Sequence, residues 1–241
     1  MQVPLIAPPQ PAFEPMIAAP LADASSTWDA TRPLDLPGDL VDQCRQGYLK
    51  LVARARLGTG IVVGVTSALR REGRTSVALG LATAIAGDRQ EPTLVLECDF
   101  EQPSLANLLG CEAASGLGEW LDGEAPLHSI RTLGSPGLFV IPAGNRRSDP
   151  ARAMIQIDER QLLASLEGRF HNVVVDLPPV LGAAHSQLGM KLVPRILLVA
   201  REGLSRVAEL EQAILQIGRE QVAGVLVNGA ESRTPGARRR R

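Results

Sequence analysis

Short apolar runs that recur along the chain most constrain its fold. Six of them are rich in β-branched residues and lack polar alternation. These runs are residues 61–65, 93–97, 138–142, 172–176, 195–200 and 222–227. Strands that are apolar on both faces are typical of a parallel sheet with helices on both sides. We therefore predict an α/β fold with a mostly parallel sheet covered by helices on both faces.

Segments with helical periodicity separate most of these strands. Helices are predicted over residues 74–87, 159–170 and 204–220, and an amphipathic helix over 39–57 precedes the first strand. Right-handed crossovers would bring the carboxyl ends of the strands to one edge of the sheet. Ligands of open α/β sheets bind at that edge, so we expect a functional site there.

The composition divides the chain into three parts. Residues 1–38 are rich in Pro and Ala without sustained periodicity, and we predict a disordered leader. Residues 39–230 form the predicted nucleotide-binding domain, which is long enough for one buried core. Residues 231–241 end in a run of arginines and are predicted to be a disordered basic tail.

Charge and cysteine usage exclude several classes of function. The net charge of −1 argues against a protein that binds nucleic acid, so no specific nucleic-acid partner is expected. Three cysteines without a C-x-x-C pair indicate a reducing compartment, and three histidines show no metal-ligand spacing. The sequence shows no signal peptide and no apolar run that could span a bilayer. We expect a cytoplasmic protein whose membrane association, if any, is made through a partner.

The loop after the first predicted strand has features of a phosphate-binding loop. Gly73 lets the backbone approach a phosphate, Arg74 supplies charge, and the Thr75 hydroxyl is placed as a magnesium ligand would be. The strict pattern G-x-x-x-x-G-K-[ST] fails at Ala68 and at Arg74. From this loop alone, nucleotide binding and a plain strand–turn–helix both remain open.

Carboxylates follow two other apolar strands. Glu97 and Asp99 lie at the end of one strand, and Asp176 ends another just before two prolines. Carboxylates where apolar strands stop are costly unless they are paired or face a wet, charged site. Opposite a phosphate loop they would suit a magnesium–nucleotide complex, although acids that merely cap loops are the alternative.

Blocks spread over roughly residues 46–230 resemble one family in order and spacing. They include "VVGVTSALRREGRTSVALGLATAIA", "LVLECDFEQPSLANLLG", "LFVIPAGNRRSDPARAM" and "FHNVVVDLPPVLGAAHS". The chain is similar to the cytoplasmic domain of bacterial tyrosine kinases that govern capsular and exopolysaccharide synthesis. That family belongs to the deviant-Walker P-loop ATPases, which also include septum-positioning and chromosome-partitioning ATPases.

The resemblance implies roles for particular residues. Gly73 and Thr75 match the Walker A loop, Asp176 matches the Walker B carboxylate, and Asp99 matches the second acid of the Walker A′ motif. Asn228 occupies the position where related ATPases contact the base. The residues predicted to bind ATP or ADP are therefore Gly73, Arg74, Thr75, Ser76 and Asn228. The predicted catalytic residues are Glu97, Asp99 and Asp176, and the predicted Mg²⁺ ligands are Thr75 and Asp176.

The chain departs from the family where the chemistry would take place. Arg74 replaces the P-loop lysine, and Arg70 and Arg71 replace a Pro-Gly pair, so a position that tolerates unusual backbone angles carries a long side chain. Glu97 replaces the first Walker A′ aspartate, and Glu101 replaces the arginine of that motif. These changes predict an altered phosphate clamp and slow phosphoryl transfer.

Two further departures concern assembly and substrate. The charged residues of the family's oligomerising helix align with Gln46, Leu49 and Val52, so formation of a homo-oligomer is left open. The C-terminal tyrosine cluster that the family autophosphorylates is absent, and Tyr48 is the chain's only tyrosine.

These features predict a degenerate member of the tyrosine-kinase family. It would bind ATP or ADP weakly and regulate capsular or exopolysaccharide synthesis or export through a membrane-embedded chain-length protein. One alternative is an active ATPase or tyrosine kinase that acts in trans, so whether the chain is an enzyme is left open. The other alternative is a partitioning or positioning ATPase, although Leu69 stands where that group carries its signature lysine.

Overall fold

A mostly parallel sheet lies at the centre of the computed structural model, which describes residues 28–55, 60–111, 115–145 and 149–229. The strands are β1 Trp28–Pro33, β2 Ile61–Ser67, β3 Thr93–Glu97, β4 Ile130–Leu133, β5 Leu138–Ile141, β6 Asn172–Asp176, β7 Ile196–Arg201 and β8 Val222–Asn228. Their order in the sheet is β1-β4-β5-β3-β6-β2-β7-β8. Only β4 and β5 pair antiparallel among the described strands.

Helices connect most of the strands. They are α1 Gly38–Ala55, α2 Arg74–Arg89, α3 Leu105–Leu108, α4 Leu117–Leu121, α5 Pro150–Glu159, α6 Leu162–Glu167, α7 Ser186–Lys191 and α8 Val207–Ile217. Within the described ranges, no helix has the length and apolar character that crossing a bilayer requires.

All six strands predicted from apolar runs are present, within two residues of the predicted bounds. The helix predicted over 159–170 is shorter, because α5 ends at Glu159 and α6 begins at Leu162. Helix α5 itself was not predicted, although Asp149 caps it by accepting the N–H of Arg152 and Pro150 follows at the first helical position.

The predicted leader is structured in its last part. Residues 28–33 form β1, which pairs in parallel with β4 at the edge of the sheet. Leu34 and Leu36 then pack partly buried against the core, and α1 begins at Gly38. The prediction of disorder over 1–38 is therefore corrected for residues 28–38. Residues 1–27 and the predicted tail 231–241 lie outside the described residues.

The core has one apolar layer on each face of the sheet. Side chains alternate along β3, so Leu94 and Leu96 pack in one layer and Val95 packs in the other. Helices α1 and α2 cover the Val95 side and approach closely, since a Cβ added to Gly80 would lie 3.0 Å from the Cys44 sulfur. The small side chains of α2 thus allow it to lie directly on the sheet.

The three central strands bring the predicted site together. Asp176 at the end of β6 is paired in register with Glu97 of β3 and with Val65 of β2. The loop from β2 to α2 therefore leaves the sheet beside both acidic strand ends. The residues predicted for the site therefore lie at the carboxyl edge of the parallel strands, where open α/β sheets bind ligands.

Candidate nucleotide-binding site

The loop between β2 and α2 depends on a glycine in a left-handed conformation. Gly73 has φ of +89°, and a Cβ added there would lie 2.0 Å from Nδ2 of Asn228. The Nδ2 group of Asn228 donates a hydrogen bond of 3.1 Å to the carbonyl of Glu72. Only glycine fits between the loop and this amide, because any other side chain would need both the rare φ and the same space.

A glutamate that sequence reasoning missed fastens the same loop. Glu72 is fully buried and accepts the N–H of Leu69 at 2.8 Å. Its other carboxylate oxygen accepts a hydrogen bond from the hydroxyl of Ser205, in the connection between β7 and α8. Arg201 also donates to the carbonyl of Arg71, at 3.1 Å. The loop is thereby tied to the neighbouring β7 strand, which local pattern could not indicate.

Arg71 has the backbone conformation that was expected to be unfavourable for a residue with a long side chain. Its φ is +69°, in the left-handed region, while its side chain is exposed. A non-glycine residue there costs about 1–2 kcal/mol.

Arg71→Gly is therefore expected to raise the free energy of unfolding by up to about 1 kcal/mol, after the added flexibility of glycine in the unfolded chain is subtracted. Urea unfolding measures the change. Arg71→Ala is the matched control, since it removes the same side chain without relieving the strain. An equal gain in both variants would contradict the assignment of strain to this residue.

Thr75 and Asp176 meet directly. The Thr75 hydroxyl, in the first turn of α2, donates to Oδ2 of Asp176 at 2.7 Å. Asp176 is fully buried, and its Oδ1 has no hydrogen-bond partner among the described residues. Burial raises the pKa of Asp176 to about 6, while the charge of Arg74 and the Thr75 hydrogen bond act in the opposite direction.

Two arginines from the phosphate loop converge on Asp99. Nη2 of Arg74 donates to Oδ2 of Asp99, and Nη1 of Arg70 lies 3.1 Å from the same oxygen. The side chain of Asp99 is only 1% exposed, against 10% for Arg74 and 24% for Arg70. Nε of Arg74 also lies 3.6 Å from Oδ1 of Asp176. The guanidinium group of Arg74 therefore lies between Asp99 and Asp176, two of the three carboxylates predicted for catalysis.

The ionic network continues outward from Arg70. Its Nη2 pairs with Glu101, and Glu101 in turn lies 3.8 Å from Nδ1 of His185. The His185 side chain is 6% exposed, and burial lowers its pKa. Arg70 and Glu101, both expected to depart from the family's motifs, are thus partners in space.

Glu97 contributes to the fold around the site. One carboxylate oxygen accepts the N–H groups of Ser104 at 2.7 Å and Leu105 at 3.1 Å, as well as the Ser104 hydroxyl. The other oxygen accepts the N–H of Ala143 at 3.0 Å. These bonds join the start of α3 to the segment after β5. They favour a structural role over the catalytic role predicted from the sequence.

Burial raises the pKa of Glu97 to about 7, although the N–H of Ala143 opposes the shift. In the unfolded chain Glu97 should lose its proton near its ordinary pKa of 4.5. The folded state therefore holds more protons between these values, and the stabilisation present below the unfolded pKa is lost as the pH rises through the folded pKa.

Because of Glu97, the free energy of unfolding should fall by about 2 kcal/mol between about pH 5 and about pH 8. Urea unfolding at both pH values of the wild-type chain and of Glu97→Gln isolates this contribution, because the other titrating groups are common to both proteins. An unchanged pH dependence in the variant would contradict the raised pKa.

The remaining predicted residues lie at the border of the site. Ser76 is exposed in the first turn of α2. Asn228, at the end of β8, uses its amide nitrogen to hold the carbonyl of Glu72. Any contact that Asn228 makes with a base would therefore come from a side chain already fastened to the phosphate loop.

The site has oxygen atoms that could bind magnesium, but a positively charged side chain lies beside them. Asp176 has a free carboxylate oxygen and Thr75 has a hydroxyl, which are the donors that magnesium uses in P-loop sites. The positive charge of Arg74 lies 3.6 Å from that free oxygen. As arranged, the site does not fit a magnesium ion bound directly to Asp176, because the ion would meet a like charge at short range.

Sequence comparison relates the chain to bacterial tyrosine kinases. It is 31% identical over 170 residues to the tyrosine-protein kinase etk of Escherichia coli strain K12, which covers 70% of this chain and 23% of that protein. It is 25% identical over 207 residues to the tyrosine-protein kinase wzc of Salmonella typhi, covering 85% of this chain and 28% of that protein. The chain thus spans about a quarter of the length of the curated relatives it matches. No protein-family model matches it.

Structural comparison gives the same relationship. The kinase domain of the Escherichia coli tyrosine kinase ETK superposes with a TM-score of 0.71 at 26% identity, covering 83% of this chain and 80% of that domain. The septum site-determining protein MinD of Pyrococcus horikoshii, complexed with Mg-ADP, superposes with a TM-score of 0.55 at 18% identity and shares the fold alone, over 68% of this chain and 67% of its own. The chain belongs to the bacterial tyrosine-kinase family of deviant-Walker P-loop ATPases.

Proposed function

We propose that this protein is a nucleotide-responsive member of its family that binds ATP or ADP weakly and transfers phosphate slowly, if at all. The observation that carries the proposal is the position of Arg74 between Asp99 and Asp176. The loop has a left-handed glycine directly before a helix, as a phosphate-binding loop requires, while the carboxylates opposite it are paired with arginine.

Phosphate would bind at the start of α2. This helix has 16 residues, and its first N–H groups and the positive end of its dipole favour an anion. Gly73 in its left-handed conformation lets the loop approach the ligand closely. Ser76 and the Arg74 guanidinium supply further donors, and Thr75 offers its backbone N–H because its hydroxyl donates to Asp176. Asn228 is the candidate contact for the base.

Weak binding follows from the contacts that already occupy the donors. Arg74 and Arg70 are both paired with the buried Asp99, so a phosphate group must share or replace those ion pairs. Slow transfer follows from Glu97, whose two oxygens accept backbone N–H groups and are not free to take a proton from an acceptor hydroxyl.

The family membership supports a role in polysaccharide synthesis or export. We place the protein on the cytoplasmic side, where it would report its nucleotide state to a membrane-embedded chain-length protein. The outer face of α1 carries no charge at Gln46 and at the 51% exposed Leu49, which weakens the electrostatic case for a family-like homo-oligomer.

An active kinase that acts in trans is the second candidate, favoured by the intact Thr75–Asp176 pair. Its substrate would be another protein's tyrosine, because Tyr48 is only 5% exposed and its hydroxyl accepts a hydrogen bond from Arg89. A partitioning ATPase has less support, since the MinD structure shares the fold alone whereas the relatives in sequence are named tyrosine kinases.

Calorimetric titration with ADP and ATP, combined with a phosphorylation assay on a Glu/Tyr copolymer, tests the proposal. We expect a Kd of about 0.1 mM, equivalent to about −5.5 kcal/mol, and turnover far below the roughly 1–100 s⁻¹ of active kinases. Absence of nucleotide binding would overturn the nucleotide-responsive function. Turnover within the kinase range would instead establish the trans-acting kinase.

A further inference from the structure

We propose that Arg74 takes the place of the magnesium ion, so that nucleotide binding at this site does not depend on a divalent cation. The inference rests on the proposed function, because it concerns how the same site holds a phosphate.

One edge of the Arg74 guanidinium faces the acids that a metal would otherwise neutralise. Nη2 is bonded to Oδ2 of Asp99, and Nε lies 3.6 Å from Oδ1 of Asp176. The hydroxyl of Thr75 is turned to the other oxygen of Asp176, at 2.7 Å. Thr75 and Asp176, the two predicted metal ligands, are therefore hydrogen-bonded to each other, and the guanidinium group of Arg74 lies beside Asp176.

Positive charge from the chain already lies beside both buried carboxylates. The side chains of Asp99 and Asp176 are 1% and 0% exposed, and two buried carboxylates require compensation by positive charge. Arg74 supplies one charge, and Arg70 supplies a second on the Asp99 side. A divalent cation would double the positive charge around the same two carboxylates, so its binding would be opposed by both arginines.

The other side of the guanidinium is available to a phosphate. Within the described part of the chain, Nη1 of Arg74 has no hydrogen-bond partner, and the residue occupies the first helical position of α2. A planar guanidinium with five N–H groups can bond carboxylates along one edge and an anion along another, whereas a lysine ammonium is a single point charge. Arg74 can therefore link Asp99 and Asp176 to a bound phosphate without a metal between them.

The first experiment measures ADP binding in excess MgCl₂ and in EDTA. For the wild-type chain we expect the two Kd values to agree within about threefold, a difference well below one factor of ten in affinity. Arg74→Lys should bind ADP at least about tenfold more tightly in MgCl₂ than in EDTA, since the ammonium cannot also neutralise both carboxylates. A wild-type affinity that drops about tenfold or more in EDTA would overturn the inference.

The second experiment needs no nucleotide and separates this inference from the proposed function. Electron paramagnetic resonance of Mn²⁺ should show no bound ion in the wild-type chain and one bound ion in Arg74→Met, which removes the cation beside Asp176 and leaves Asp99 with Arg70 alone. Arg45→Met is the matched control, because Arg45 pairs with Asp88 at an exposed position on α1.

The Mn²⁺ titrations distinguish a site that Arg74 closes to metal from a site that binds metal. Mn²⁺ bound by the wild-type chain and lost in Asp176→Asn would overturn the inference, as would a folded Arg74→Met that binds none. If circular dichroism shows that Arg74→Met does not fold, Arg74→Lys takes its place in the Mn²⁺ titration with the same expectation. Failure of the wild-type chain to bind ADP in either buffer would overturn the proposed function, while the Mn²⁺ result would still decide the role of Arg74.

Discussion

Asp99→Asn is expected to lower the free energy of unfolding by about 3–5 kcal/mol, as does the loss of one partner from other buried ion pairs. Asp99 is 1% exposed and its Oδ2 accepts from both Arg70 and Arg74. Asparagine keeps an oxygen for the N–H of Gln102, which now bonds to Oδ1 at 3.2 Å. The cost therefore comes from the two guanidinium groups that lose their negative partner.

Two variants test that reason. Glu101→Gln removes the other acid that pairs with Arg70, at a position that is 33% exposed, and should cost less than about 1 kcal/mol because solvent screens the pair. The double variant Asp99→Asn, Arg74→Met should recover part of the loss, since it removes the more deeply buried of the two cations. Urea unfolding at one pH gives all four free energies.

The comparison also separates electrostatics from packing. If Asp99→Asn and Glu101→Gln lower the free energy of unfolding by the same amount, the ion pairs of Asp99 with Arg70 and Arg74 do not stabilise the site as their burial indicates. If the double variant is even less stable than Asp99→Asn alone, Arg74 stabilises the protein through the packing of its aliphatic chain rather than through its charge.

Gly73→Ala is expected to abolish detectable nucleotide binding and to lower the free energy of unfolding by about 3 kcal/mol, which combines left-handed strain with a steric clash. The φ of +89° disfavours any L side chain, and the new Cβ would lie 2.0 Å from Nδ2 of Asn228. The amide must then move, and its bond to the Glu72 carbonyl is lost. The loop that should hold the phosphate would lose its shape.

Gly87→Ala provides the matched control in the same helix. Gly87 is exposed in α2, and a Cβ added there has no neighbour within 4 Å. This change should stabilise the protein by about 0.5–1 kcal/mol through helix propensity and leave ADP binding unchanged. Calorimetric titration with ADP and urea unfolding measure both effects.

A third variant separates strain from the clash. Gly73→Ala combined with Asn228→Ala removes the atom that the new Cβ would strike while leaving the backbone conformation in place. It should recover some stability but not nucleotide binding. Normal binding in Gly73→Ala alone would show that the loop can adopt another conformation and still hold its ligand.

Local pattern predicted the central strands accurately. The runs over 61–65, 93–97 and 172–176 are apolar on both faces, and they form β2, β3 and β6, whose residues in those spans are buried or nearly so. Pattern failed on the β1 side of the sheet: β1 lies in a Pro- and Ala-rich segment, and its neighbour β4 is short. These two strands are held by pairing with their neighbours, so their own sequence carries a weak signal.

The same contrast holds within the site. Gly73, Thr75 and Asp176 were correctly expected at one edge, because a strand end and a helix start are fixed by local sequence. The role of Glu97 was not foreseeable from its motif position, since its partners Ser104 and Ala143 belong to segments that only the folded chain brings beside β3.

The amino-acid sequence by itself determined the parallel sheet, the glycine turn and the acids at the strand ends, because each depends on residues close together in the chain. Only the tertiary structure decided where the charged side chains point. Arg74 pairs with acids 25 residues and more away, and Thr75 bonds to one 101 residues away. Buried charges take the partners that remove the largest cost of desolvation, and those partners are chosen by the packing of the whole domain.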